Sequence, residues 1–203
     1  MNYEDMFLYV RNILEENNAI KSPKPHQQFR DRYMHTRRVY EWGRRLLGDY
    51  DDLDKDVIFT SIIFHDSGYA YGQKDHPINS NKIFLEYAKK NNFDKDFIDE
   101  VSYIILNHSE KELLKTTDNH NFIIMMEADL LDEEGALGIL WDLLSAGYNE
   151  TPSYYSALDE LNKHSAHILS QDFMVSKTAK FYWNNKKRLV LEFIESINDD
   201  LFI

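Results

Sequence analysis

A histidine and an aspartate stand side by side at positions 65 and 66, directly after the apolar run Val57–Phe64. An imidazole beside a carboxylate, at the point where a helix leaves the core, is equipped to ligate a metal or move a proton. A helix end that merely carries His and Asp is the competing reading of the doublet alone. Three further ionisable residues fall on helix faces that periodicity marks as apolar. His35 shares a face with Val39, Trp42 and Leu46, His108 with Val101, Ile104 and Ile105, and Asp129 with Phe122, Met125 and Met126. Unpaired buried charges cost several kcal/mol each, against a total stability of about 5–15 kcal/mol. These groups therefore need a partner, and one divalent metal satisfies two His and two Asp together. Imidazole and carboxylate donors without sulfur suit Mn, Fe, Co, Ni, Zn or, with more oxygen and water, Mg.

The elements that must position these residues read as helices nearly throughout. Met6, Val10, Ile13 and Leu14 mark a first amphipathic helix, and Lys21-Ser22-Pro23-Lys24-Pro25 breaks the chain. Helices are expected over about 27–47 and 54–64, then from His76, with Pro77 suited to a helix start, to about 90. Asp94 caps a further one to about 108, and a polar connection runs from 111 to 121. A sixth helix starts near Phe122, a seventh covers Gly135 to Leu144, and two closing helices cover about 154–170 and 177–197. No run alternates with the period of a strand. The expectation is an all-α, single-domain irregular helical bundle over 1–203, with core motifs at 30–140 and closing helices at 153–198.

The order His35, His65-Asp66, Asp129 resembles the HD-domain superfamily of metal-dependent phosphohydrolases, whose signature is His, His-Asp, Asp. The likeness extends to His35-Thr36-Arg37-Arg38-Val39, to His76-Pro77 with Ser80, and to Asn107-His108-Ser109. Ala128-Asp129-Leu130-Leu131-Asp132 with Gly135–Ile139, and the later Met174 and Lys177-Thr178-Ala179-Lys180, look like one bacterial subgroup containing uncharacterised hydrolases and a nucleotide pyrophosphohydrolase. The resemblance spans about residues 30 to 195 and implies the HD-domain fold. It also implies that His35, His65, Asp66 and Asp129 ligate one divalent metal, which acts as a Lewis acid and lowers the pKa of a bound water. His76 and His108 then hold a second metal with Asp66 bridging, contact phosphate, or move protons, so Asp66, His76 and His108 form the expected catalytic set. Two departures stand out. The doublet continues as Ser67-Gly68-Tyr69 rather than with Ile-Gly, and no Glu follows Asp66 closely, where some nucleotidase relatives place a catalytic acid. Asp132 is an alternative to Asp129 as ligand, or a residue behind the ligands, or an exposed one.

Arg37, Arg38, Lys74, Lys111 and Lys177 are candidate phosphate contacts, set against the ordinary reading of solvated surface cations. Arg38 leads, because it lies three residues after His35, and Lys74 and Lys177 are taken with it as substrate-binding residues. Tyr69 and Tyr71 are either base-stacking residues or plain loop aromatics. His26, His120, His164 and His167 receive no metal role.

The chain has 23 basic and 35 acidic residues, a net charge of −12, and no cysteine. That balance disfavours nucleic acid and anionic membranes and makes an anionic substrate dependent on a local cation source. The missing cysteine excludes disulfides, thiolate sites and a Cys nucleophile. The first residues lack the pattern of a signal peptide, and no apolar run reaches the length of a membrane span, so a cytoplasmic protein, monomer or homodimer, is expected. The leading function is hydrolysis of a small nucleotide, a nucleoside triphosphate giving monophosphate and pyrophosphate. The alternatives are a nucleotidase, a cyclic or dinucleotide phosphodiesterase, or a non-catalytic module with a structural metal.

Overall fold

The computed structural model describes residues 1–24 and 27–202. Pro25, His26 and Ile203 lie outside the described residues, and with them the readings of a loop at Pro25 and no metal role for His26. Among the described residues the secondary structure is helical, apart from one isolated antiparallel bridge between Lys21 and Asp31. The helices are α1 (Tyr3–Glu16), α2 (Arg32–Leu46), α3 (Lys55–Phe64), α4 (His76–Lys90), α5 (Lys95–Asn107), α6 (His120–Glu133), α7 (Ala136–Ala146), α8 (Tyr154–Leu161), α9 (His167–Ser170) and α10 (Lys177–Leu201).

The bundle is built around α3. Its residues Val57–Phe64 are apolar or small on every side, and a helix apolar all round is stable only when surrounded. All eight are buried, with α1, α2, α5 and α6 packed about them. Asp54 starts the helix by accepting the N–H groups of Asp56 and Val57 at 2.9 and 3.2 Å. The doublet sits where α3 ends, so an element buried on every side carries it.

Two boundaries differ from the periodicity. α2 begins at Arg32 rather than near 27, because Asp31 is extended and its carboxylate accepts the Met34 N–H at 2.8 Å. His35 thereby falls in the first turn of α2. Trp42, expected in the core, is only half-buried, and the buried stripe uses Gly43 in its place. The closing segment 154–170 is not one regular helix. A π-helical turn over Asn162–Ala166 separates α8 from α9. There Asp142 of α7 accepts both the N–H (3.1 Å) and the hydroxyl (2.6 Å) of Ser165. Gly138 permits this approach, since a Cβ on it would lie 2.7 Å from Ser165 Oγ. Finally α10 is tied to the core by Glu127 of α6, whose Oε1 accepts the N–H groups of Val175 (2.5 Å) and Ser176 (2.9 Å).

Candidate metal centre

Four helix ends and one helix interior converge on a single buried spot. His35 comes from the start of α2, His65 and Asp66 from the end of α3, His76 from the first residue of α4, His108 from the cap of α5, and Asp129 from the body of α6. One local device orients three of the imidazoles. The Nδ1–H of His65 donates to the Ile62 carbonyl (2.7 Å), that of His108 to Ile105 (2.7 Å), and that of His76 to Gln73 (3.2 Å), each three residues back. His35 uses a side chain instead, its Nδ1–H donating to Asp132 Oδ2 at 2.8 Å. A carbonyl or carboxylate offers no hydrogen, so Nδ1 carries a proton in all four rings, and in the neutral form each Nε2 presents a lone pair.

Those lone pairs face carboxylate oxygens and one another. His35 Nε2 lies 3.1 Å from Asp129 Oδ1 and 3.7 Å from Asp66 Oδ2, and His65 Nε2 lies 3.6 Å from both Asp66 Oδ1 and Asp129 Oδ1. The Nε2 atoms of His76 and His108 are 3.0 Å apart, each within 3.7 Å of Asp66 Oδ1. His35 Nε2, His65 Nε2 and Asp129 Oδ1 are buried and make no hydrogen bond. Buried nitrogens and carboxylate oxygens set this close are satisfied by a bound cation or by a second proton on the imidazole. Two sets of donor atoms result, His35-His65-Asp66 and Asp66-His76-His108, each spanning no more than 4.8 Å and sharing Asp66. The set is imidazole and carboxylate without sulfur, which fits a divalent metal.

Electrostatics favour positive charge at this spot. Burial disfavours charge on His35, but hydrogen bonds to Asp129 and Asp132 outweigh it and push its pKa up to about 10. Burial likewise opposes ionised Asp66 and Asp129, yet the surrounding imidazoles hold both carboxyls well below the usual range. Burial keeps His76 below the ordinary imidazole value, despite Asp66.

The backbone next to the doublet is locked. Ser80 of α4 accepts the Gly68 N–H at 2.8 Å and donates to the His65 carbonyl at 2.5 Å. A Cβ on Gly68 would lie 2.1 Å from the His76 carbonyl oxygen, so glycine sets how closely α4 approaches. Tyr69 is already covered, stacked on His76 (4.3 Å between centroids) with the Arg32 guanidinium 3.4 Å from its own, while Tyr71 is exposed.

The two aspartates differ in position. Asp129 faces the cluster, and Asp132 stands behind His35, where Arg38 grips it through Nε (2.8 Å) and Nη2 (3.0 Å). The structure redirects the expected phosphate contacts accordingly. Arg38 is engaged with Asp132 rather than with the cluster. Lys74 is exposed in the turn before α4, with no ion-pair partner among the described residues. Lys177 opens α10, where its neighbour Thr178 is bonded to Asp49, past the opposite end of α2 from His35. Arg37 is held by Glu4 of α1. His120 pairs with Asp52 and stacks on Tyr50, His164 pairs with Glu160, and His167 is exposed.

Periodicity missed Arg30 and Glu133. Arg30 is nearly buried, near enough to Asp66 and Asp129 to feel both charges, ion-paired to Glu133 and lying 4.5 Å over the Trp141 ring. Glu133 also places a carboxylate among the donor atoms of His35 and Asp129. Its spacing of four from Asp129 was a usable signal. Arg30 precedes a helix cap and carried none. A cleft of about 430 Å³ opens here, with Arg30, Lys111, Glu133 and Trp141 among its walls.

Comparison with known proteins adds the following. A family model described as HD domain matches residues 32–134. No curated protein matches. Among solved structures, an HD-superfamily hydrolase from Bacillus thuringiensis superposes with a TM-score of 0.72 at 18% identity, covering 98% of this chain and 96% of its own. The Lin1889 protein of Listeria innocua gives 0.67 at 19%, covering 100% and 99%. Bacillus subtilis YpgQ in complex with ADP gives 0.68 at 18%, covering 98% and 97%. At such identities the likeness concerns the fold.

Proposed function

The chain belongs to the HD domain family, and from that premise we propose that it is a cytoplasmic metal-dependent phosphohydrolase that cleaves a nucleoside triphosphate to the monophosphate and pyrophosphate. The observation that carries the metal chemistry is the convergence of four imidazole Nε2 atoms on the carboxylates of Asp66 and Asp129, each within 3.7 Å of one of them. His35, His65, Asp66 and Asp129 hold the metal in this reading, and when bound it supplies Lewis-acid charge and an acidified water. His76 and His108, sharing Asp66, hold either a second cation or a proton between their Nε2 atoms, so a proton can be delivered at the leaving oxygen. Arg30 supplies fixed positive charge beside Asp66 and Asp129, in a chain whose net charge otherwise repels phosphate. The adjoining cleft is of a size that holds a small organic ligand. The nucleotide in the YpgQ structure supports the choice of substrate class.

The test is product analysis. Metal-stripped protein receives Mn, Mg, Co, Fe or Zn singly, and phosphate and pyrophosphate release are followed over a nucleotide panel. Metal-dependent pyrophosphate release, lost in Asp66→Ala, is the expected result. Orthophosphate release alone replaces this reading with a nucleotidase. No turnover on any nucleotide, with metal bound, removes nucleotides as the substrate class.

A further inference from the structure

On the far side of Asp132 from the metal centre lies a second groove, of about 530 Å³, between α2 and the middle of α10. Its cations are Arg37, Arg38, Arg45 and Lys186, and its only acids are Glu41 and Asp132. Both acids are taken, Glu41 by Arg44 and Asp132 by Arg38 and His35. Among the described residues, Arg45 and Lys186 have no carboxylate partner. Both lie against the Trp42 ring, at 4.7 and 4.8 Å from its centroid. Lys186 Nζ uses one donor on the Glu134 carbonyl at 3.0 Å. Arg38 spends Nε and Nη2 on Asp132, which leaves Nη1 without an acceptor.

We propose that this groove binds a phosphate-bearing small anion, held between Arg45 and Lys186 over the Trp42 edge and reached by Nη1 of Arg38. The donors supply the forked and point-charge geometry that phosphate oxygens accept. Charge supports the assignment too. In a protein with 35 acids, burial lowers the Lys186 ammonium pKa, Asp132 and Glu134 oppose that from one side, and Arg45 lies close enough to repel it. An anion between them removes that repulsion. The site is separate from the metal centre but joined to it by one chain of contacts, Arg38 to Asp132 to His35, so an anion pulling on Arg38 acts on the orientation of a metal-facing imidazole. The proposal does not depend on which substrate the metal centre takes.

The experiment titrates orthophosphate and adenosine monophosphate, in parallel, into full-length Asp66→Ala protein, with calorimetry and tryptophan emission as readouts. Asp66→Ala disables the metal centre and leaves the groove intact. Saturable binding that shifts the emission is expected, and Arg45→Gln or Lys186→Gln in the same background weakens it about tenfold or more. Equal affinity for the two probes identifies phosphate alone as the ligand, and tighter monophosphate binding identifies a nucleotide. Absence of binding in Asp66→Ala, or binding that survives the double substitution unchanged, overturns the proposal. If Asp66→Ala fails to fold, metal-loaded wild type is compared with Arg45→Gln. Loss of one of two binding phases supports the groove, and identical titrations refute it.

Discussion

At the scale of single residues, the carboxylate behind the histidine matters as much as the donors in front. Asp132 fixes the ring of His35 through Nδ1 and is itself fixed by Arg38, so His35 cannot rotate its lone pair away from Asp66 and Asp129. Asp132→Asn keeps the shape and removes the charge. We expect metal affinity to fall about 10–100-fold, with helical circular dichroism unchanged, as read by competitive metal titration. Glu134 is a second case, with its own pH signature. It is buried, and that burial, together with Glu133 and Asp142, pushes its pKa up to about 8 from 4.5. An acid with a raised folded pKa keeps its proton in the folded state while the unfolded chain releases it, so its contribution to stability falls as pH rises from about 4.5 to about 8. Glu134→Gln removes that loss. Thermal melts should show no gain for the variant near pH 4.5 and a gain of at least about 1 kcal/mol near pH 8. A gain independent of pH would contradict the assignment.

His35, His108 and Asp129 were legible as polar residues on apolar helical stripes, and His65-Asp66 as a doublet closing an apolar run. Arg30 was not readable: it sits in irregular chain between a Pro-rich break and a helix cap, where no period applies. The surroundings of Arg38 and Lys177 were not legible for a related reason. Spacing says which residues can adjoin His35, but not which of several acids and cations will pair, and Asp132 was close enough to capture Arg38.

At the scale of elements, helix type was legible and helix junctions were not. α3 announced itself by an unbroken apolar run, and Asp54, Asp94 and Asn119 cap their helices as such residues do. The π turn at Asn162–Ala166 leaves no such trace, since its cause is Asp142 on another helix binding Ser165. Glu127 is equally opaque in sequence, a buried acid justified only by the two N–H groups that precede α10. Glu127→Ala is expected to cost about 1–3 kcal/mol in a thermal or urea melt, because the two buried donors lose their acceptor. The junction of α3 and α4 is the element most tightly set. In Gly68→Ala the new methyl group meets the His76 carbonyl and the Ser80 N–H, so α4 must withdraw and take His76 with it. A weakened second metal equivalent in calorimetry, together with a loss of about 1–3 kcal/mol of stability, is the expected outcome. Unchanged stoichiometry and stability would show that α4 does not set the second site.

At the scale of the whole molecule, the candidate metal centre adjoins a core built from residues with no donor atoms. Phe64, Phe84, Phe122 and the isoleucines of α3 are fully buried with no part in ligation. Chelation should therefore lower the melting temperature by removing a ligand of the folded state, while leaving the helical spectrum in place. Loss of helix on chelation would mean that the cluster holds the bundle together. Among the described residues, no helix is long and apolar enough to cross a membrane.

The Ser80 hydroxyl has a further consequence, in the language of exchange. Gly68 lies in a connecting segment, where amide hydrogens ordinarily swap with solvent quickly. Its N–H, however, ends on an oxygen that is itself fastened to the His65 peptide, with no solvent contact at Ser80. That single hydrogen can leave only when α4 lifts from the end of α3. Its protection factor in deuterated water thus measures how often the two halves of the metal centre come apart.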